Sequence, residues 1–159
     1  MEQESLTERE LRAWRTFLEM QELLRTRIEQ QLQAGSGLSY PDYSVLAVLS
    51  EAPDGRLRPY ELTRMIGWEK SRLHHQLSRM STRGLITRDR YGSRGIYAVI
   101  TAKGLAALKE AFPAHAQEVR RLFIDRLTPE QLDQVADISS TILDRLQADE
   151  VRFSAPNRS

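Results

Sequence analysis

The stretch PYELTRMIGWEKSRLHHQLSRMSTRGLITRDRYGSRGIYAVIT, residues 59–101, changes its hydrophobic period once, and that change decides the fold. Pro59 suits a first helical position, because the amide it lacks would be unpaired there in any residue. Leu62, Met65 and Ile66 give a short helix one apolar face before Gly67 ends it. A second helix is predicted from about residue 69 to 83, with Gly84 just past its end. From residue 85 the period drops to two. Residues 85–90 and 96–100 read as short strands around the glycine-bearing turn 91–95, which makes a β-hairpin. Two short helices about a glycine turn, followed by that hairpin, form a helix-turn-helix with a wing.

The second helix of the pair has two unlike faces. Placed at 100° steps, Leu73, Leu77 and Met80 fall together and must face a core. Ser71, His75, Ser78 and Thr82 lie opposite, flanked by Arg72, His74 and Arg79, and no carboxylate follows Glu69 in the helix. Short polar groups and cationic donors suit the major groove, where base edges offer N7, O6 and O4 acceptors. A merely solvated helix would more often alternate Glu with Lys. The hairpin tip adds Arg90, Ser93 and Arg94. Arginine on such a tip can enter a narrow minor groove, where the negative potential is strongest.

Outward from this stretch the chain is helical on both sides. Thr7 and Glu10 have capping-box spacing, and Leu11, Trp14, Phe17, Leu18, Leu24, Ile28 and Leu32 then mark a long amphipathic helix ending near residues 35–37. Ser39 caps a second helix, with Pro41 and Asp42 in its first turn and Tyr43, Leu46 and Leu49 inward. Thr101 caps a helix expected to break or kink at Pro113, with helical pattern resuming over residues 114–127. Thr128, Pro129 and Gln131 open a last helix with Leu132, Val135, Ile138, Ile142 and Leu146 inward, and a flexible polar tail is expected from Ala148. The fold class is therefore mainly α with a small β-hairpin wing. The expected organisation is an N-terminal helix over residues 1–38, a winged helix-turn-helix over 39–104, helices over 105–147 and a tail over 148–159.

Composition limits the function classes. At 159 residues and 40% apolar content the chain has room for one modest core, and the absence of cysteine excludes disulfides and thiolate metal sites. No apolar run approaches the length of a signal peptide or membrane span, so a cytoplasmic protein without membrane contact is expected. The net charge of +1 hides a partition: residues 56–103 hold eleven Lys or Arg against three acids, a balance of +8 that leaves −7 for the remainder. A basic block between acidic flanks suggests that one lobe meets a polyanion.

Taken together, the helix-turn-helix, residues 79–86 (RMSTRGLI) and the wing running into residues 94–104 (RGIYAVITAKG) resemble the MarR family of transcriptional regulators. The resemblance covers roughly residues 7–147. It implies a sequence-specific DNA-binding regulator, most often a repressor, that grips a pseudo-palindromic operator on double-stranded DNA as a homodimer, with the terminal helices of two chains interleaved as a helical dimerisation lobe. It also implies a small aromatic or phenolic effector between lobe and winged domain, where Trp14, Phe17, Tyr43 and Trp68 are the aromatic candidates. The sequence departs from the family twice. Gly92 stands where the family's wing aspartate would orient Arg94, with Asp89 as the nearest replacement, and His74-His75 stands where the family often has Thr-Arg.

Enzyme chemistry finds no support in the sequence: no phosphate loop, nucleophile elbow or zinc-protease motif occurs. His74, His75 and His115 are the only histidines, and the adjacent pair points about 100° apart, which does not suit a shared metal. No catalytic residue, metal site or cofactor is therefore assigned. Two alternatives to a specific regulator remain at this level: a winged-helix protein-interaction module, and a nucleoid-associated protein indifferent to DNA sequence.

Overall fold

The computed structural model describes residues 5–92 and 95–153. Among these residues six α-helices and three short strands follow in chain order: α1 (Glu8–Ser36), α2 (Tyr40–Glu51), β1 (Arg56–Leu57), α3 (Pro59–Ile66), α4 (Lys70–Thr82), β2 (Ile86–Arg90), β3 (Ile96–Ile100), α5 (Ala102–Leu122) and α6 (Pro129–Phe153). The chain divides into two compact units, one ending at Glu118 and the other beginning at Val119.

The first unit carries the winged helix-turn-helix. Its helix starts follow the sequence: the Thr7 and Ser39 hydroxyls each accept a hydrogen bond from the third helical amide, and the Glu10 and Asp42 carboxylates in turn accept one from the cap amide. At the start of α5 the Thr101 hydroxyl accepts from the Gly104 amide at 3.0 Å and donates to the Gly84 carbonyl at 2.7 Å. The core beneath is made by Val45, Leu46 and Leu49 of α2, Leu62 of α3, Leu73, Leu77 and Met80 of α4, and Ile86 and Ala98 of the sheet. Burying each of the larger side chains, Ala98 aside, stabilises the unit by roughly 1.5–3 kcal/mol.

The hairpin is one strand larger than the sequence predicts. The sheet order is β1-β3-β2, all antiparallel, with Leu57 opposite Ala98 on one side and Arg88 opposite Ala98 on the other. A two-residue strand has no period, so β1 left no signal. It is reached through the turn Pro53–Gly55, where Asp54 adopts φ 56°.

Three helical expectations need correction. Pro113 does not interrupt α5, which runs unbroken from Ala102 to Leu122 before a 3₁₀ turn at Ile124–Arg126. Proline removes one amide and crowds the carbonyl four residues back. Here both Lys109 and Pro113 are exposed, so the carbonyl that loses its partner lies on a side that water can reach. Met65, placed on the apolar face of α3, is 61% exposed, whereas Leu62 is fully buried and Ile66 is half-buried against the core. The tail expected from Ala148 is helical as far as Phe153.

The second unit contains the end of α5 and all of α6. Thr128 and Gln131 form the expected reciprocal cap, at 3.0 and 3.2 Å. Of the α6 residues expected inward, however, only Leu132 and Val135 are half-buried. Ile138, Ile142, Leu143 and Leu146 are 50–61% exposed. In the first unit, Trp14, Phe17 and Leu18 of α1 are likewise exposed, although the periodicity is that of a buried face.

Candidate nucleic-acid interface

Gly67 takes φ 74° at the end of α3, and its amide and that of Trp68 both donate to the Thr63 carbonyl. That left-handed residue turns the chain into α4 within two residues, which is the work glycine does here. Leu73, Leu77 and Met80 are fully buried, as their spacing predicts. Ser71, Arg72, His75, Ser78, Arg79 and Thr82 are exposed, and His74 is half-buried at the edge of that face. The structure thus brings together on one helix the residues expected to read base edges.

Several of these side chains are already held. The Arg72 guanidinium lies 4.5 Å from the centre of the Trp68 ring, a cation–π contact that fixes its direction. The Thr82 hydroxyl donates to the Ser78 carbonyl at 3.1 Å. Arg88, which the sequence reading did not select, reaches from β2 to α4 and donates to the His74 carbonyl at 3.0 Å and the Ser78 hydroxyl at 3.1 Å. Strand alternation carries the signal that could have found it, since Arg88 shares a sheet face with buried Ile86 and must point toward the helices.

The core side of α4 is also polar at one point. Gln76 is 2% exposed and donates to Asp42 Oδ1 at 2.6 Å, while Asp42, equally buried, accepts from Arg83 Nη1 at 2.6 Å through Oδ2. The Gln76 carbonyl accepts from Arg79 Nη2 at 2.5 Å. Sequence reasoning missed both residues. Asp42 read only as an acid in the first turn of its helix, and Gln76 was placed on neither face of α4.

On the wing, Arg90 is exposed at the end of β2, and Ser93 and Arg94 lie outside the described residues. Gly92, at the position of the family's wing aspartate, has φ 54°. Behind it, on the sheet face turned away from Arg88, stands a cluster of arginine and tyrosine. Arg56 sits 4.3 Å from the Tyr91 ring centre and 5.7 Å from that of Tyr97, and the two rings meet edge to face. Arg58 Nε donates to the Tyr97 hydroxyl at 3.2 Å, the contact that chiefly raises the guanidinium above its ordinary pKa. Asp89 pairs with Tyr97 across the ladder.

The aromatic residues named for an effector lie in three separate places. Trp14 and Phe17 stack on each other, 6.1 Å between centres, on the exposed face of α1, and Trp68 lies under Arg72. Tyr43 borders a hollow of about 300 Å³ walled by Tyr40, Ala47, Val48, Met65, Ile66 and His115. The Tyr43 and His115 rings are 4.2 Å apart, and His115 Nδ1 is buried without a hydrogen-bond partner. Burial lowers the His115 pKa and raises that of Tyr43, so both are uncharged at neutral pH. Among the described residues no group of three or more His, Asp or Glu side chains is arranged to hold a metal ion, and no helix is long and apolar enough to cross a membrane.

No model of a known protein family matches the sequence. A curated relative, the HTH-type transcriptional repressor YetL of Bacillus subtilis, is 26% identical over 115 residues, covering 71% of this chain and 68% of that protein. Two solved structures from Streptomyces coelicolor are nearer. The MarR family transcriptional regulator Sco3205, solved in complex with DNA, is 34% identical, with a TM-score of 0.86 over 89% of this chain and 94% of its own. AbsC, also a MarR family transcriptional regulator, is 38% identical, with a TM-score of 0.86 over 92% of this chain and 99% of its own.

Proposed function

Since this chain belongs to the MarR family of transcriptional regulators, we propose that it binds operator DNA as a homodimer through α4 and the wing. The observation that carries this is the outer face of α4: Ser71, Arg72, His75, Ser78, Arg79 and Thr82 are exposed together, with no carboxylate on the helix, beside a wing bearing Arg88 and Arg90. Such a face offers donors to base edges and cations to phosphates while presenting no charge that DNA would repel. Arg94, which lies outside the described residues, is assigned with Arg90 to the minor groove. The relative solved in complex with DNA supports the same partner.

A homodimer is inferred from the apolar surface each chain leaves uncovered on α1 and on α6. Residues 1–38 and 105–147 are assigned to that lobe and 39–104 to the DNA-binding domain. Two copies would set two α4 helices in major grooves one helical turn apart, about 34–36 Å, on a pseudo-palindromic site. Repression is the proposed outcome, as in the Bacillus relative. The hollow beside Tyr43 and His115 is the proposed effector site, sized for a small aromatic molecule. An effector acting there must favour one conformation by about 1–3 kcal/mol to regulate usefully.

Gel-shift titration of the full chain against its own upstream region, with random duplex as competitor, tests the central claim. The expected result is a retained complex at moderate salt when random duplex is in large excess. Equal affinity for every duplex would replace the operator reading with sequence-indifferent binding. No duplex binding at all would overturn DNA recognition and leave an acidic protein as the partner of the basic lobe.

A further inference from the structure

Among the described reading-face side chains of α4, Arg79 is tied to the core by hydrogen bonds through a buried intermediary, and the tie leads back to the first turn of α2. Asp42 Oδ2 accepts from the Ser39 amide at 3.0 Å and from Arg83 Nη1 at 2.6 Å, and Oδ1 accepts from Gln76 Nε2 at 2.6 Å. Gln76 in turn offers Oε1 to Arg79 Nη2 at 2.5 Å. Arg83 also reaches the Gly37 carbonyl, at 3.4 Å.

We propose that Asp42 and Gln76 are positioning residues for DNA reading, which set the rotation of α4 and aim the Arg79 guanidinium. The proposal rests on the DNA-binding reading above. Both residues are 2% exposed, and a carboxylate at that depth is tolerable only while its partners stay in place. Leucines alone would hold α4 against α2 with little directional demand. A buried carboxylate and amide add one: a rotation or slide of α4 strands a charge and an amide away from water. Gln76 faces the core from the same helix that carries the reading face, so fixing its amide fixes the helix. Its carbonyl then engages one nitrogen of Arg79 and leaves the other donors of that planar group for bases or phosphates.

The test compares binding of the full-length variants to operator and to random duplex of equal length, at one salt concentration and below every variant's melting temperature. Gln76→Met keeps the volume and removes both hydrogen bonds. It is expected to lower the operator-to-random ratio about tenfold, the scale of one well-made base contact, while random-duplex affinity moves less than threefold. Arg79→Ala should cost about as much, and adding it to Gln76→Met should cost no more than about twofold further, because both remove one function. The double exchange Asp42→Asn with Gln76→Glu reverses donor and acceptor, keeps one buried carboxylate and still accepts from Arg79. It should return the ratio to within about threefold of the unmodified protein. A wild-type ratio in Gln76→Met, or independent multiplying losses in the double variant, overturns the proposal. Should Gln76→Met fail to fold, the exchange decides: a folded exchange protein without selectivity counts against it. If the unmodified protein itself prefers no duplex, the DNA-binding reading fails first and this one falls with it.

Discussion

At the scale of single residues, Gly104 is the glycine with the closest neighbour among the described residues. A Cβ built there would lie 2.1 Å from the Leu85 carbonyl oxygen and 3.0 Å from Leu46, and the first of these is backbone that cannot swing aside. Gly104→Ala should therefore destabilise the fold by about 1–3 kcal/mol, the usual cost of overpacking, seen as a lower melting temperature. Close packing is the cause, since this glycine is helical. His115 makes a second prediction. Burial lowers its pKa in the folded state, so the unfolded chain binds the proton more readily. Its contribution to stability is neutral above about pH 6.5 and turns unfavourable as the pH falls through that value toward the lower folded pKa. Denaturant titrations between pH 7.5 and 5 should show the native protein losing more stability than His115→Gln. Equal losses would mean that His115 accepts its proton equally well in both states.

At the scale of elements, the wing is joined to the recognition helix by Arg88 and braced on its other face by Arg56, Arg58, Tyr91 and Tyr97. A wing lacking the family's aspartate at residue 92 has, in this cluster, another set of contacts to hold its base. Arg88→Ala removes a cation beside the outer face of α4 together with both bonds to that helix. Operator affinity is expected to fall about tenfold, and the slope of log affinity against log salt should drop by roughly one if Arg88 also meets a phosphate. A lower affinity with an unchanged slope would assign Arg88 to bracing alone. Fluorescence anisotropy over a range of salt concentrations distinguishes the two.

At the scale of the whole molecule, the apolar stripes on α1 and α6 have the period of buried faces and the exposure of surface ones. Ile142→Glu, at a half-exposed position on α6, should leave the helical circular dichroism of the chain intact and shift sedimentation from dimer to monomer. Operator affinity should fall with it, because a single α4 helix in one groove reads too few bases. A monomeric native protein would remove the dimer from the reading.

Much of this was legible in the sequence because it is local. A helix period, a glycine where the chain must turn left-handed and a cap three residues from its partner are all settled within one or two turns of chain. Hence α1 to α4, the hairpin and the exposed face of α4 could be read directly. The change of period within residues 59–101 was sufficient to define the winged helix-turn-helix. Other features depend on residues that are distant in sequence and meet only after folding. Asp42 and Gln76 are 34 positions apart and Arg88 and His74 are 14 apart, so no spacing rule links them. The exposure of Ile142 and Trp14 is of the same kind. Periodicity marks a face as apolar, but whether that face meets its own chain or is left for another is decided by where the other helices lie.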